Sequence, residues 1–462
     1  MKSKSTSKSA ILFSICMAHF LNPFMLSAVG VALPVIGREF AASALQLGLV
    51  EMTFMLSMAI FLLAMGRLGD IHGRRKVFQL GLLLFAFSGG LISLSNSIEM
   101  LIVLRFLQGL GGAMVNATTM AILVAAFQPH ERGKALGIAI ASVYAGISCG
   151  PFVGGFMVEL FGWRSLFYLM VPLGLLTYFV TWIKIKEEWA DSKGEPFDWQ
   201  GALIYAPSIL LLVYGVTHLK HNPGMWGLLI LATIGLLLFF LVEKRAKYPM
   251  LDIRLLLENR VFALSNLAAL FNYAATFGVT FFLSLYLQFV KGMGPHHAGT
   301  ILIVQPIVQT LLSPICGRLS DRVPASILAT LGMGSGAVGL AFAANLSADS
   351  SLTQVILLLI FLGLGFALFS SPNVSMIMGS VQPRYLGVAS GLSASMRTFG
   401  MLTSMTIITI IFSYLMQGKP VTPETQVAFL ASMKIALLVF CGLCVVGIGC
   451  SLGRIKNQME RT

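Results

Sequence analysis

Runs of about 20 apolar residues recur from one end of this chain to the other, and each is long enough to cross a ~30 Å hydrocarbon layer as an α-helix. No other feature constrains the fold as strongly. Lipid offers no partner to a free backbone N–H or C=O, so repeated crossings are made by helices or by a closed barrel. The alternating pattern of barrel strands is absent. The fold class is therefore all-α and polytopic. Fourteen spans are expected, over 10–33, 45–65, 77–95, 101–126, 135–157, 165–183, 201–218, 226–242, 261–289, 297–316, 325–344, 352–378, 387–416 and 427–452. Composition agrees: 57% of the 462 residues are hydrophobic and 11% are charged, against about 25% charged in soluble proteins.

The net charge is +13, which on a soluble chain would point to nucleic acid. Its distribution points to a bilayer instead. With the N-terminus in the cytoplasm, 23 of the 31 Lys and Arg fall on inner segments, including Arg454 in the last tail. The outer loops carry only Arg38, Arg164, Lys220, Lys291 and Lys419, and Arg105, Arg397 and Lys434 remain within spans. This bias sets the orientation, and an even span number puts both termini in the cytoplasm. The partner is lipid, with no role for nucleic acid. The start, MKSKSTSKS, is a basic stub running straight into a full-length span, so that span is expected to stay attached. All six cysteines lie in apolar runs. Cys441 and Cys444 form a C-x-x-C and Cys16 lies three residues before His19, but neither pair has a second pair nearby to complete a metal site. They read as small packing residues.

The chain repeats itself. GRLGDIHGRR (Gly66–Arg75) follows span 2, and GRLSDR (Gly317–Arg322) follows span 10 at an offset of 251; QPHERG (Gln128–Gly133) and QPRYLG (Gln382–Gly387) follow spans 4 and 12 at an offset of 254. Two independent pairs at nearly one offset imply two related six-helix halves, with spans 7 and 8 inserted between them. The expected organisation is an N-terminal half over 1–183, linkers and inserted spans over 184–260, and a C-terminal half over 261–462. The polar stretch KIKEEWADSKGEPFDWQ (Lys184–Gln200) marks the first boundary. Duplicated helical halves around a midplane site are a transporter architecture.

Gly66, Asp70, Gly73, Arg74 and Arg75 sit in the loop after span 2, echoed by Asp321 after span 10. Glycine permits a tight turn. The aspartate can pair with an arginine in one conformation and release it in another. With these residues the chain resembles the major facilitator superfamily. GRLGDIHGRRK is similar to its loop motif. RFLQGLGGA (Arg105–Ala113), with Gln108, is similar to its fourth-span motif. GISCGPFVGG (Gly146–Gly155) is similar to its fifth-span Gly-Pro motif. Fourteen spans with an inserted pair resemble the drug:proton antiporter branch, which implies multidrug efflux across a bacterial or archaeal plasma membrane. Independently of the resemblance, Gly146, Gly150 and Gly154 make a small-residue stripe that lets another helix approach. Pro151 beside them permits a kink; Gly155 extends the motif. The stripe serves either a gate or plain packing. One departure from the family stands out: aligned on Ala32-Leu33-Pro34, Met25 occupies the place of the usual span-1 aspartate and Gly30 that of an asparagine.

Charges within spans cost several kcal/mol in many estimates. Glu51 in span 2 reads as the only acid inside a span, and Arg105 in span 4 lies at a similar depth. The arginine favours a carboxylate and burial favours the neutral acid, a balance suited to loading and releasing a proton. A static ion pair, or an interfacial Glu51, is the alternative. His19 and Asn22 share a face of span 1, as a titrating group or a polar contact. With Gln108, Arg397 and Lys434 they are candidate cavity residues, and the two basic ones favour anionic, zwitterionic or neutral solutes. No G-x-x-x-x-G-K-[ST] or H-E-x-x-H occurs, so no enzyme, cofactor or metal site is expected. The expectation is a proton-coupled secondary transporter exporting small amphipathic compounds by alternating access, with Glu51 as proton carrier tuned by Arg105. A transporter of organic anions or metabolites is the nearest alternative. A non-transporting sensor or lipid-handling protein comes after it.

Overall fold

A computed structural model describes residues 7–219, 224–251, 253–320, 322–382 and 386–459. Its helices are α1 (Lys8–Glu39), α2 (Ala44–His72), α3 (Arg74–Ser93), α4 (Ile98–Ala126), α5 (Pro129–Phe161), α6 (Arg164–Lys184), α7 (Trp199–His218) and α8 (Met225–Arg245). They continue with α9 (Ile253–Glu258), α10 (Arg260–Leu285), α11 (Pro295–Leu302), α12 (Val304–Leu319), α13 (Ala325–Ala344), α14 (Leu352–Gly379), α15 (Leu386–Leu415) and α16 (Gln426–Met459). Among the described residues, 14 helical stretches are long and apolar enough to cross a membrane, and every expected span overlaps one. The protein is an all-helical, multi-pass membrane protein.

The structure differs from the expected spans in four places. The Gly66–Arg75 motif is not a loop: α2 runs through it to His72, and α3 starts at Arg74. Only Gly73 breaks the helix, at φ +116°, which a residue bearing a Cβ rarely adopts. Span 9 ends in a π-helical turn over Tyr286–Val290, and span 10 is split by Ile303 into α11 and α12. Span 8 extends to Arg245 and carries Glu243, which is buried, so Glu51 is not the only acid in a spanning helix.

Contacts divide the chain into two compact units. One comprises Met1–Leu26, Val50–Ile147 and Phe161–Ile253; the other comprises Ser27–Leu49, Ser148–Leu160 and Arg254–Thr462. Helices α1, α2 and α5 each contribute to both.

In the first unit, α3 packs on α4 and α6, and α7 on α8. Its core joins Ile11 and Ile15 of α1 to Phe78 and Leu82 of α3, Ile122 of α4, and Ile185. Glycine sets the α3–α4 spacing: a Cβ on Gly111 would lie 2.7 Å from the Phe85 nitrogen. The Tyr205 hydroxyl of α7 donates to the Ala59 carbonyl of α2 at 2.8 Å. Helix α8 exposes Trp226, Ile230, Leu237, Leu238 and Leu241, a lipid-facing surface.

In the second unit, α13 packs on α14 and α16, and α10 on α15 and α16. Ala268, Ala269, Ala329, Met333 and Phe369 form a hydrophobic core cluster. The latter part of α1 is tied to the end of α10: Ser284 Oγ donates to the Gly30 carbonyl at 2.7 Å, and Gln288 Nε2 to the Val31 carbonyl at 2.9 Å. Hydroxyls in both units satisfy themselves on the preceding turn, as Thr118 does on Met114 and Thr276 on Asn272, because lipid cannot do so.

Backbones touch where α13 meets α14. A Cβ on Gly332 would sit 2.6 Å from the Gly365 carbonyl oxygen, and one on Gly365 2.7 Å from that of Gly332. Gly365→Leu is therefore expected to destabilise the protein by at least ~1–3 kcal/mol, the cost of overpacking. A lowered melting midpoint in detergent, with loss of the monodisperse chromatographic peak, checks this; an unchanged midpoint contradicts it.

Candidate functional site

Helices α1, α2 and α4 bring the span-1, span-2 and span-4 candidates together inside the first unit. Arg105 is fully buried and Glu51 is 3% exposed. The guanidinium is held by neutral partners: Nε donates to the Val50 carbonyl at 3.2 Å and Nη1 to Gln108 Oε1 at 2.7 Å. Its plane lies over the Phe54 ring, 4.4 Å from the centroid. Nη2 is buried without a hydrogen-bond partner. Glu51, one residue after Val50, does not form an ion pair with it within 4.0 Å, although the two charges interact through space.

Glycine makes this proximity possible. A Cβ on Gly109 would fall 2.5 Å from the Phe54 carbonyl oxygen, and one on Gly112 3.3 Å from the Phe54 ring and 3.4 Å from the Asn22 amide nitrogen. Asn22 is 3% exposed, and both its amide nitrogen and its oxygen lack partners. Such groups cost about 1–3 kcal/mol each when left unsatisfied. His19 has protein partners on both ring nitrogens: Nε2 lies 3.1 Å from Thr119 Oγ1 and Nδ1 3.3 Å from the Ala139 carbonyl oxygen. A carbonyl only accepts, so Nδ1 carries a hydrogen.

The Gly66–Arg75 motif forms a dense polar junction. Arg74 Nε and Nη2 both reach Asp70 Oδ1 at 2.7 Å, and Nη2 also reaches Asp191 at 2.7 Å. Arg67 binds Ser192 and Glu195. The Arg75 backbone N–H donates to Glu188 at 2.8 Å, and its guanidinium to the Lys186 carbonyl. The Arg74 N–H donates to the Trp189 carbonyl and the Ser192 N–H to the Asp70 carbonyl. Residues 186–195 thus strap down the α2–α3 junction. The acids of KEEWADSKGE against the basic motif were the sequence signal for this strap, but the stretch reads first as a boundary. The counterpart Asp321 lies outside the described residues.

The Gly-Pro motif of α5 packs on both units' helices. Gly146 abuts the Phe20 carbonyl of α1 in the first unit. In the second, a Cβ on Gly154 would lie 2.8 Å from that of Ala28, and one on Gly155 2.5 Å from the Pro295 carbonyl oxygen. Gly299 of α11 abuts the carbonyl of Pro151, and Gly150 is buried. Arg397 and Lys434 are exposed and belong to the second unit. The buried cation of the second unit is one that sequence reasoning assigned to the tail. Arg454 is 0% exposed and donates to Ser265, Asn373 and Ser451. Its partners are neutral and come from α10, α14 and α16, so no local pattern revealed them.

Arg105→Lys keeps the charge but cannot bridge Val50 and Gln108 at once. A hydrogen bond to a charged group is worth about 1.5–3 kcal/mol, so activity is expected to fall at least ~10-fold with expression retained. Initial rates of solute movement per folded protein check this; wild-type rates contradict it.

The sequence profile of the Major Facilitator Superfamily matches residues 15–251 and 265–451. The riboflavin transporter RibZ of Clostridioides difficile is 30% identical over 441 residues, covering 96% of each chain. The multidrug resistance protein Stp of Mycobacterium tuberculosis is 31% identical over 381 residues, 80% of this chain and 70% of that one. Among solved structures, a bacterial homologue of the human lysosomal transporter Spinster, inward-facing and unoccupied, superposes with a TM-score of 0.69 at 17% identity, covering 98% of each chain.

Proposed function

The chain belongs to the Major Facilitator Superfamily, and from that premise we propose that it is a proton-coupled exporter of small uncharged or zwitterionic amphipathic compounds. It is a non-enzymatic membrane transporter of small molecules. The coupling, the direction and the solute class are the proposal. Lys and Arg bias sets the orientation, with both termini cytoplasmic in a bacterial plasma membrane. Alternating access is the proposed mode of transport, with 184–260 carrying the inserted pair.

The observation that carries the reading is that Arg105 is held by Val50 and Gln108 and not by Glu51. Gain or loss of a proton on Glu51 leaves those bonds intact. An ionised Glu51 has a ready donor in the unpartnered Nη2, and a protonated one does not need it. The carboxyl can therefore titrate while the site keeps its shape. A proton entering across 100 mV supplies about 2.3 kcal/mol, enough for more than tenfold accumulation of a neutral solute.

Two observations support the solute class. By resemblance, Met25 stands where the family usually has an aspartate, so the middle of α1 offers no carboxylate to a cation. Asn22 offers a buried donor and acceptor with no protein partner, suited to a solute that both accepts and donates. The strap on Asp70 and Arg74 biases the conformational equilibrium, and the packed Gly-Pro segment of α5 serves as a gate in the direction of efflux. A second reading, transport of an uncharged metabolite or an organic anion in either direction, draws on the same Asn22 and Met25 and on the full-length similarity to a protein named as a riboflavin transporter.

Proteoliposomes containing a pH dye test the proposal with a lipophilic cation, a carboxylate and a neutral amphipath. The expected result is proton movement with the neutral solute, abolished in Glu51→Gln. Proton movement retained in Glu51→Gln contradicts the assignment of Glu51. A signal with the cation alone contradicts the solute class.

A further inference from the structure

A second pair of acidic groups meets on the inserted helices. Asp198 caps α7, its Oδ1 accepting the Gly201 N–H at 2.9 Å. Its Oδ2 is buried and has no hydrogen-bond partner. Glu243 on α8 is 2% exposed and accepts the backbone N–H groups of Met250 at 3.4 Å and Leu251 at 3.1 Å. Both carboxyls converge over Gly201, where a Cβ would meet Asp198 Oδ2 and, at 2.8 Å, Glu243 Oε1. The two oxygens flank one point, so the carboxyls are close neighbours.

Two ionised carboxylates are acceptors only and cannot bond to one another. Brought together out of water, they cannot both stay charged unless a cation intervenes. The cations on α2, α8 and the turn after α8 are exposed or contact other groups. Lys244 and Arg245 of α8 are exposed. Lys247 lies over the Tyr248 ring at 5.3 Å. Arg67 of α2 is taken up by Ser192 and Glu195. Tyr205 of α7 donates to Ala59. Among the described residues no ion pair within 4.0 Å engages Asp198 or Glu243.

We propose that Asp198 and Glu243 share one proton in a carboxylic acid–carboxylate hydrogen bond, a proton-binding site on α7 and α8 separate from Glu51. The proton comes from water and leaves the pair with one negative charge. It joins the start of α7 to the end of α8, and the backbone bonds from Met250 and Leu251 extend the tie to the following turn. On loss of the proton the two carboxylates repel and the joint loosens. The folded chain thus holds a proton that the unfolded chain has released at neutral pH, so this contribution to stability is present at lower pH and is lost as pH rises.

Infrared spectroscopy of the full-length Glu51→Gln protein in nanodiscs tests the proposal, because Glu51 then contributes nothing to the protonated-carboxyl band. The expected result is a carboxylic-acid C=O band at neutral pH that disappears in Glu51→Gln/Glu243→Gln. No such band in Glu51→Gln protein overturns the proposal, and so does a band that survives the Glu243→Gln change. Thermal melting gives a second readout. The wild-type midpoint is expected to fall between about pH 6 and about pH 9. Glu243→Gln should fall less, because its amide donates to Asp198 at every pH. Equal pH slopes overturn the proposal. Should Glu243→Gln fail to fold, Asp198→Asn carries the same comparison with donor and acceptor exchanged.

Discussion

Hydrocarbon forms no hydrogen bonds, so every polar group carried into a membrane must find its partner within the protein. That constraint organises this structure at each level. Backbone groups are satisfied by helices, and Ser and Thr hydroxyls by the turn before them. Two guanidiniums, Arg105 and Arg454, are buried in nests of neutral acceptors. Neither is neutralised by a carboxylate within 4.0 Å among the described residues. Close approach of helices is what makes such nests possible, and glycine provides it at Gly109, Gly112, Gly332 and Gly365.

The same constraint gives meaning to the exceptions. Asn22, Arg105 Nη2, Gln108 Nε2 and Ser57 Oγ are buried polar groups without hydrogen-bond partners, gathered in one cluster. These are the groups a solute or an ionised Glu51 would complete. Asp198 Oδ2 is an exception of another kind, an acceptor facing an acceptor, and a proton resolves it. The two acidic sites therefore work differently. Beside Glu51 the neighbouring charge is a cation, Arg105. At Asp198 and Glu243 the second carboxyl takes that place and retains the proton.

The spans were legible because each is a run of apolar residues whose length is fixed by bilayer thickness, and every one overlaps a helix. Their ends were less so. Hydropathy falls off at Gly66, but the helix continues to His72, since Arg67 and Asp70 find partners in the 186–195 strap. Glu243 read as a loop residue for the same reason. Within the site, Glu51 and Arg105 were visible as charges in apolar runs, and Gln108 and Asn22 as polar residues beside them. The Val50 carbonyl and the Phe54 ring were not, because a backbone oxygen and an aromatic in an apolar helix carry no distinguishing signal. Arg454 was hidden by its position near the chain end, where a charge ordinarily faces water. Two of its partners, Ser265 and Asn373, lie on α10 and α14, remote in sequence, and only tertiary packing brings them to it.

In the proposed cycle Glu51 releases its proton as the solute binds, while Arg105 stays fixed. Solute added to purified protein in weakly buffered detergent measures this directly. The account predicts release of a proton on solute binding in wild type, none in Glu51→Gln, and wild-type release in Glu243→Gln. Solute binding without proton release in wild type, or release that persists in Glu51→Gln, would contradict it.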